Sequence, residues 1–175
     1  MTKSSKEQMQ KDAKIVLAEL QKNANKNIDL IAKNVRFSKQ KVWRIIKQLE
    51  KERFIWGYSA ITDAEKQDLE KYILFFKRSS IPFDKKTADE VNLNGILNDY
   101  NKLGITIETS YYIHGEFDWV IIFTAKDIIF AKKFVNLMQD RYPGFIEKIQ
   151  LARVLYTPRD HYIVNPAPLK AKDII

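Results

Sequence analysis

Residues 38–58 have the sequence SKQKVWRIIKQLEKERFIWGY, and this stretch decides the fold predicted for the N-terminal third of the chain. Its apolar residues recur with the i, i+3, i+4, i+7 spacing that places them on one side of an α-helix. They are Val42, Ile45, Ile46 and Leu49. Ser38 is suited to the N-cap because its hydroxyl can accept a hydrogen bond from an amide of the first turn. The stretch therefore predicts an amphipathic helix that buries one side and exposes a basic one.

Two further helices are predicted before this one. Residues 12–22 carry one apolar stripe, with Asp12 at the helix start, and residues 28–34 follow with Asn27 as N-cap. Residues 35–37 have the length of the turn in a helix-turn-helix, whose second helix enters the major groove of DNA. Residues 1–11 are polar and lack periodicity, which favours a mobile arm. The apolar residues around Gly57, over positions 54–61, predict a β-ribbon or wing.

The positive charge of the chain is concentrated in this N-terminal part. The formal net charge is +8; residues 1–60 hold 14 Lys and Arg against 6 Asp and Glu, whereas residues 61–175 hold 16 of each. A localised basic surface favours a polyanionic partner such as nucleic acid. Two alternatives stay open: the basic face is only solvated, or it lies on a membrane surface. The membrane alternative is the weaker one because the apolar side of the helix is expected to pack against neighbouring helices.

The composition limits the chemistry that the chain can support. It has no Cys and 2 His, which excludes disulfides and Cys-ligated metals and leaves little for any other metal site. We therefore predict no cofactor, no metal and no enzymatic activity. No signal-like N-terminus is present, and no apolar stretch approaches the roughly 20 residues that cross a bilayer. These features predict a soluble cytoplasmic protein that does not bind membranes.

The second half of the chain alternates strand and helix patterns. Strands are predicted near residues 72–76, 105–113, 119–125 and 147–156, and helices over 84–103 and 128–142. The order βαββαβ is that of the ferredoxin-like sandwich, so the predicted class is α+β, with an N-terminal winged helix-turn-helix. The predicted boundaries are 1–61 for the winged helix-turn-helix with its arm, 62–70 for a hinge, 71–158 for the ferredoxin-like domain and 159–175 for a tail. The role of residues 77–94 is left open.

One face of the predicted sheet has no helix to cover it. Its strands carry apolar residues on both sides, which predicts that this face meets a second copy of the chain. Aromatic residues on such a sheet could instead stack RNA bases, and the candidates are Tyr111, Tyr112, Phe123 and Tyr156. Packing in the core or in a dimer is favoured because this half has no net positive charge and no RNP-like motif.

Several motifs together resemble the Lrp/AsnC family of transcription regulators, also called feast/famine regulatory proteins. In the N-terminal part they are Asp12-x-x-Ile15 with Leu20, Ile31-Ala32, Ser38-x-x-x-Val42-x-Arg44-Ile45-x-x-Leu49-Glu50 and Ile55-x-Gly57-Tyr58. In the C-terminal part they are HGEFDW at 114–119 and PGF at 143–145. The resemblance covers residues 12–158. It implies a dimer or octamer that binds promoter DNA through its N-terminal domain and senses an amino acid through its C-terminal domains. Arg36 departs from the glycine that is usual in the family's turn.

The predicted DNA contacts lie on and beside the basic helix. They are Arg36, Ser38, Lys39, Gln40, Lys41, Trp43, Arg44, Lys47 and Lys51. Gln and Arg side chains can read base edges in double-stranded DNA, whereas lysines mainly hold phosphates. Trp43 lies at the border of the two helix faces, where core packing and a DNA contact are equally open.

The resemblance implies an effector pocket around a G-x-x-D loop. The candidates are His114, Gly115, Phe117 and Asp118, with the Asp118 carboxylate as a partner for an amino group. The open alternative is that Gly115 and Asp118 only build a turn. The predicted function is therefore a sequence-specific transcription regulator that binds DNA as an oligomer. The alternative is a non-specific architectural DNA-binding protein whose C-terminal domain only oligomerises.

Overall fold

The computed structural model describes residues 3–82, 100–169 and 173. The chain divides into two compact units, one formed by Met1–Ile61 with Thr157–Ile175 and the other by Thr62–Tyr156. Of the expected helix at 84–103, all residues before position 100 lie outside the described part, as does most of the 77–94 segment. No helix in the described ranges is both long and apolar enough to cross a membrane.

The first unit begins with three helices, which are α1 (Lys3–Lys22), α2 (Ile28–Val35) and α3 (Lys39–Lys51). The mobile arm expected over residues 1–11 is wrong for residues 3–11, because α1 already begins at Lys3. These residues favour helix through the intrinsic propensity of Lys, Glu, Gln and Met, a signal that hydrophobic periodicity does not capture. Within the helix the Gln8 amide donates to Asp12 Oδ1 at 2.9 Å, one turn further on.

The helices bury a small core at their junction. Its seven buried side chains are Val16, Leu20, Ile31, Ala32, Val42, Ile45 and Leu49. The two predicted caps are present, since Asn27 accepts from the amide of Asp29 at 3.0 Å and Ser38 accepts from that of Lys41 at 3.2 Å. These caps begin α2 and α3 at the positions that the sequence indicates.

The segment predicted as a β-ribbon or wing contains no strand. After α3 the amides of Phe54 and Ile55 both donate to the carbonyl of Leu49, at 2.9 and 3.2 Å, which closes the helix end. A ribbon also needs a second strand, and none of the described residues pairs with positions 54–61. A short hairpin is instead found in the C-terminal tail, where β5 (Arg159–Asp160) pairs with β6 (Ile163–Val164).

The second unit contains a four-stranded antiparallel sheet and one described helix. Its strands are β1 (Glu70–Arg78), β2 (Thr106–Tyr112), β3 (Trp119–Ala125) and β4 (Ile146–Arg153), and α4 (Ile128–Arg141) lies between β3 and β4 in sequence. The strand order across the sheet is β2-β3-β1-β4. This is the order of a ferredoxin-like sandwich, and the predicted α+β class is confirmed.

Alternation along the strands gives this sheet two different faces. Tyr72, Leu74 and Phe76 of β1 are buried, and their cluster includes Phe134 and Met138 of α4. The opposite face carries half-buried apolar side chains from the two central strands. They are Ile73, Phe75, Val120 and Ile122. The dimer expected on this second face remains a prediction.

Candidate functional sites

Helix α3 presents a polar surface opposite its buried stripe. Val42, Ile45 and Leu49 are buried, whereas Trp43 and Arg44 are exposed. The alternation arises because the helical period of 3.6 turns neighbouring positions to different sides. The Trp43 side chain is 55% exposed, so its ring contributes to the surface of the unit and the core-packing interpretation of Trp43 is wrong.

Three of the predicted DNA-contacting cations have no hydrogen bond or ion pair from their side chains to any described residue. They are Arg36, Arg44 and Lys51, and all three are exposed. Arg44 lies near the middle of α3, Lys51 at its C-terminal end and Arg36 in the turn before it. A cation without an intramolecular partner can bind an external anion without first breaking an ion pair. Gln40, in the first turn of α3, is exposed as well.

Lys41 is only partly exposed and pairs with a buried carboxylate of the same unit. Its Nζ lies 2.6 Å from Oδ2 of Asp12 and 3.9 Å from the centroid of the Phe37 ring. Asp12 is only 6% exposed, and the hydrogen bond from Lys41 holds the pKa of its carboxyl below the usual value. This pair joins the middle of α1 to the first turn of α3. Lys41 therefore positions α3, and the mid-helix location of Asp12 shows that its expected role at a helix start is wrong.

Two other predicted DNA-contacting lysines pair with carboxylates on the surface. Lys39 bonds Asp29 of α2, and Lys47 lies 2.8 Å from Glu50. Glu50 also accepts from the Tyr58 hydroxyl at 3.1 Å, and these two bonds, with that from Lys47 the stronger, lower the pKa of Glu50. Exposed pairs of this kind are weak because water screens them, so both lysines can exchange their partner for a phosphate.

The turn before α3 stores backbone strain at Arg36. This residue has φ 56 and ψ 40, the left-handed conformation, and its amide donates toward the carbonyls of Ala32 and Lys33. An L-residue with a Cβ pays about 1–2 kcal/mol for this conformation, whereas glycine adopts it freely. The arginine therefore occupies the one position of the turn where glycine would be favoured.

Arg36→Gly is accordingly expected to raise the free energy of unfolding of the first unit by about 1 kcal/mol through relief of this strain. Chemical denaturation followed by circular dichroism measures the change. Arg36→Ala is the matched control, because it removes the same guanidinium but keeps the Cβ. Equal stabilities for the two variants would show that the left-handed conformation costs nothing here.

The loop between β2 and β3 is fastened to the end of β1 through Asp118. Oδ2 of Asp118 accepts a hydrogen bond from the backbone amide of Arg78 at 3.0 Å, and its own amide donates to the carbonyl of Phe76 at 2.8 Å. Lys77 Nζ and Arg78 Nε each lie 3.6 Å from a carboxylate oxygen. The amide of Arg78 and, to a smaller extent, these cations lower the pKa of Asp118. Its carboxylate is therefore already engaged within the unit.

A cavity of about 280 Å³ lies beside this carboxylate. Its aromatic wall includes Trp119, which is 8% exposed and stacks on Phe76 at 4.8 Å and on Tyr112 at 5.7 Å. Polar groups at the cavity come from Lys77, Arg78, His114 and Asp118. The cavity thus combines an apolar wall with a small number of charged groups, as ligand sites commonly do.

The four predicted effector residues are not brought together. His114 and Asp118 line the cavity, but Phe117 packs on Phe75 on the opposite face of the sheet, with ring centroids 5.3 Å apart. Lys148 lies over the same Phe117 ring at 5.4 Å. Gly115 is not in the cavity lining, and a Cβ added there would meet nothing within 4 Å. Sequence reasoning missed Lys77, Arg78, Tyr112 and Trp119, and Arg78 is 40 positions away from its partner Asp118.

The three-helix region matches a known protein family. The winged helix-turn-helix DNA-binding family matches residues 12–55, which span most of α1, α2, α3 and the chain just beyond. A search of curated proteins finds no significant match. The region that carries the free cations is thus the region that matches a DNA-binding family.

Solved structures resemble nearly the whole chain. An AsnC family transcriptional regulator from Agrobacterium tumefaciens has a TM-score of 0.66 at 16% identity, and the match covers 88% of this chain and 95% of that one. A transcriptional regulator from Neisseria meningitidis, solved as a complex with L-Met, has a TM-score of 0.63 at 18% identity, with 90% and 94% covered.

The leucine response regulatory protein of Mycobacterium tuberculosis has a TM-score of 0.59 at 18% identity, with 87% of this chain and 98% of that chain covered. Coverage of both chains is high in all three cases, so the similarity extends over both units. The resemblance seen in the sequence is confirmed at the level of the fold: the chain has the architecture of the Lrp/AsnC regulators, with a match to winged helix-turn-helix DNA-binding domains at its N-terminus.

Proposed function

We propose that this protein is a transcription regulator of the Lrp/AsnC type that binds double-stranded DNA sequence-specifically through α3. The observation that carries the proposal is the exposed face of α3, where Arg44 lies beside buried Ile45 and has no described intramolecular partner. The match of residues 12–55 to DNA-binding domains and the fold shared with known regulators support it. A protein with this role performs no chemical reaction on its ligand, so we propose no enzymatic activity.

The contacts divide by the chemistry of the side chains. Arg44 and Gln40 have the bidentate groups that read guanine and adenine edges in the major groove, so they are the proposed base readers. Arg36 and Lys51 lie at the two ends of α3 and are the proposed phosphate contacts. Lys39 and Lys47 join them once their surface ion pairs open, and Trp43 supplies an apolar contact to a sugar or a thymine methyl group. Ser38 caps the helix, and Lys41 anchors it, so neither is a proposed direct contact.

A second copy of the chain is proposed to cover the outer face of the sheet. Ile73, Phe75, Val120 and Ile122 form an apolar patch there. Sheets that present one apolar face commonly bury it against another layer. A two-fold dimer would present two α3 helices and require a pseudo-palindromic site with half-sites one or more helical turns, about 34–36 Å each, apart.

The cavity beside Asp118 is the proposed effector site. It lies in the unit that the sequence assigns to effector sensing, and it contains two of the predicted effector residues, His114 and Asp118. The likeness to a regulator solved with L-Met supports a small-molecule effector of about amino-acid size. Gly115 and Phe117 are proposed to shape the loop only.

The base-reading role of Arg44 predicts that Arg44→Ala and Lys51→Ala affect DNA binding differently. Arg44→Ala is expected to cost about 1–3 kcal/mol on a selected binding site and to relax its base preference, because a bidentate base contact is lost. Lys51→Ala is expected to weaken selected and random DNA alike, because a phosphate contact carries no sequence information. Binding-site selection with the purified protein, followed by titrations of selected and random duplexes, measures both effects.

Lys132→Ala provides a control for the loss of one positive charge, since Lys132 is exposed on α4 in the other unit. Small and equal losses from Arg44→Ala and Lys51→Ala on every sequence would instead favour the second candidate, a non-specific architectural DNA-binding protein. The basic residues concentrated near α3 favour that candidate as well, because they bind phosphates of any sequence.

A further inference from the structure

The cavity beside Asp118 has an uneven charge balance that bears on what it can bind. Lys77 and Arg78 contribute two cations, and Asp118 contributes the one carboxylate among its lining residues. The described lining residues therefore carry a net positive charge.

An irregularity in the sheet explains why two consecutive cations reach the same cavity. Consecutive residues of a regular strand point to opposite faces. The pairing of β1 with β4 shifts register between Lys77 and Arg78, so that Lys77 lies opposite Lys148 and Arg78 opposite Ile146. Such bulges re-aim side chains at the ends of strands. Both cations consequently border the cavity, and both lie 3.6 Å from Asp118.

Asp118 is not available as the main partner of a ligand cation. Its Oδ2 accepts from the backbone amide of Arg78 at 3.0 Å, and this donor is kept in any substitution of Arg78 other than proline. The two neighbouring cations compensate its charge further. An ammonium group that entered the cavity would thus compete with the Arg78 amide and meet two like charges, whereas an anion would meet two cations that share one carboxylate.

The remaining walls suit a flat apolar group of limited size. Trp119 is fixed by a hydrogen bond from its Nε1 to the Ser110 hydroxyl at 2.8 Å and by stacking with Phe76. Tyr112 lies on the other side of the indole and is 61% exposed, so one of its sides is accessible. A volume of about 280 Å³ lies just below the range of about 300–1,000 Å³ that is usual for ligand sites, which favours a single ring with a short side chain.

We propose that the effector of this protein is a small aromatic carboxylic acid, which is recognised by its carboxylate through Lys77 and Arg78 and does not need an α-amino group. The ring lies against the exposed side of Tyr112. This inference rests on the proposed function, in which the cavity is the effector site, and it names the chemical class that the cavity selects.

Three probes that share one ring separate the contributions of the two charged groups. They are 3-phenylpropionate, phenylalanine and 2-phenylethylamine, which carry the acid alone, both groups and the amine alone. Calorimetric titration of the full-length protein is expected to give dissociation constants for the first two that agree within about threefold, with the amine at least about tenfold weaker. Binding of the amine but not of the acid would overturn the proposal, as would binding of phenylalanine alone.

Arg78→Gln tests the assignment of the cation without disturbing the loop. The variant keeps the backbone amide that holds Asp118, so only the guanidinium is lost. We expect it to weaken 3-phenylpropionate by about tenfold or more, since charge-assisted bonds to a carboxylate are strong. Lys132→Gln removes an equal charge from the exposed side of α4 and is expected to leave the affinity unchanged. Equal losses in both variants would reduce the effect to general electrostatics and refute the site.

DNA titrations of the same preparation distinguish a failure of the proposed ligand class from a failure of the proposed DNA-binding function. Specific DNA binding without binding of any of the three probes would refute the ligand class while the proposed regulator function stands. Binding of the acid without specific DNA binding would have the opposite meaning, because the cavity would be confirmed and the DNA-binding function lost.

Discussion

Phe134→Ala is expected to lower the free energy of unfolding of the sheet-containing unit by about 3–5 kcal/mol, the largest effect among the substitutions considered. Phe134 is fully buried in the middle of α4. Its ring packs edge to face against Tyr100 and Phe123, each with a centroid distance of 4.8 Å. Truncation removes both aromatic contacts and leaves a cavity between helix and sheet that rigid strands cannot fill.

Denaturant unfolding followed by near-ultraviolet circular dichroism measures this loss. Ile129→Ala on the same helix is the control, because Ile129 is 60% exposed and its truncation is expected to change stability by no more than about 0.5 kcal/mol. A loss below about 1 kcal/mol for Phe134→Ala would show that the aromatic cluster is not the centre of this core.

Ile45→Ala is expected to destabilise the helical unit by about 2–5 kcal/mol and to reduce DNA binding as a consequence. Ile45 is 5% exposed and belongs to the seven-residue core of that unit. Such a core is small, and marginal domains lose a large share of their folded population for each kilocalorie. We expect α3 to unfold together with the rest of this unit.

Arg44, the residue before Ile45, provides a comparison that separates loss of stability from loss of DNA contact. Arg44→Ala is expected to leave the unfolding transition within about 0.5 kcal/mol of the parent while DNA affinity falls, because Arg44 is exposed. Thermal unfolding and DNA titration of both variants form a two-by-two comparison. Loss of DNA binding without loss of stability in Ile45→Ala would place Ile45 on the DNA-facing side and contradict the orientation of α3.

The orientation of α3 could be predicted from sequence because it depends on local information. The period of Val42, Ile45 and Leu49 and the Ser38 cap both act within one or two turns of helix, and the structure confirms each of them. The order of strands in the second unit could be predicted for a similar reason, since apolar runs and turn residues punctuate the chain at regular intervals.

The roles of individual charged residues could not be predicted in the same way. Lys41 looked like its neighbours, but its partner Asp12 lies in another helix and only tertiary packing brings the two within 2.6 Å. Asp118 is fixed by an amide 40 positions earlier in the chain. Phe117 and Asp118 are adjacent in sequence, yet the Phe117 ring packs on one face of the sheet and Asp118 lines the cavity on the other side. This separation depends on the register of the loop, which the sequence does not define.

The β-ribbon at residues 54–61 failed for an energetic reason. The residues there have suitable side chains, but a strand is stable only where another strand satisfies its amides and carbonyls. The described residues provide no such partner, and Trp56 is left 96% exposed. Side-chain propensity predicted a strand, but without a partner strand no strand forms there.

The ion pair between the partly exposed Lys41 and the buried Asp12 also bears on how binding should depend on ionic strength. Each phosphate that a side chain neutralises displaces condensed counterions and contributes about 0.9 to the slope of log affinity against log salt. Lys41 is already paired with Asp12, so we expect its charge to displace fewer counterions than that of an unpaired cation. The number of basic residues on and around α3 therefore overstates the salt sensitivity of the complex, and the slope should count only those side chains that have no carboxylate partner or are able to leave it.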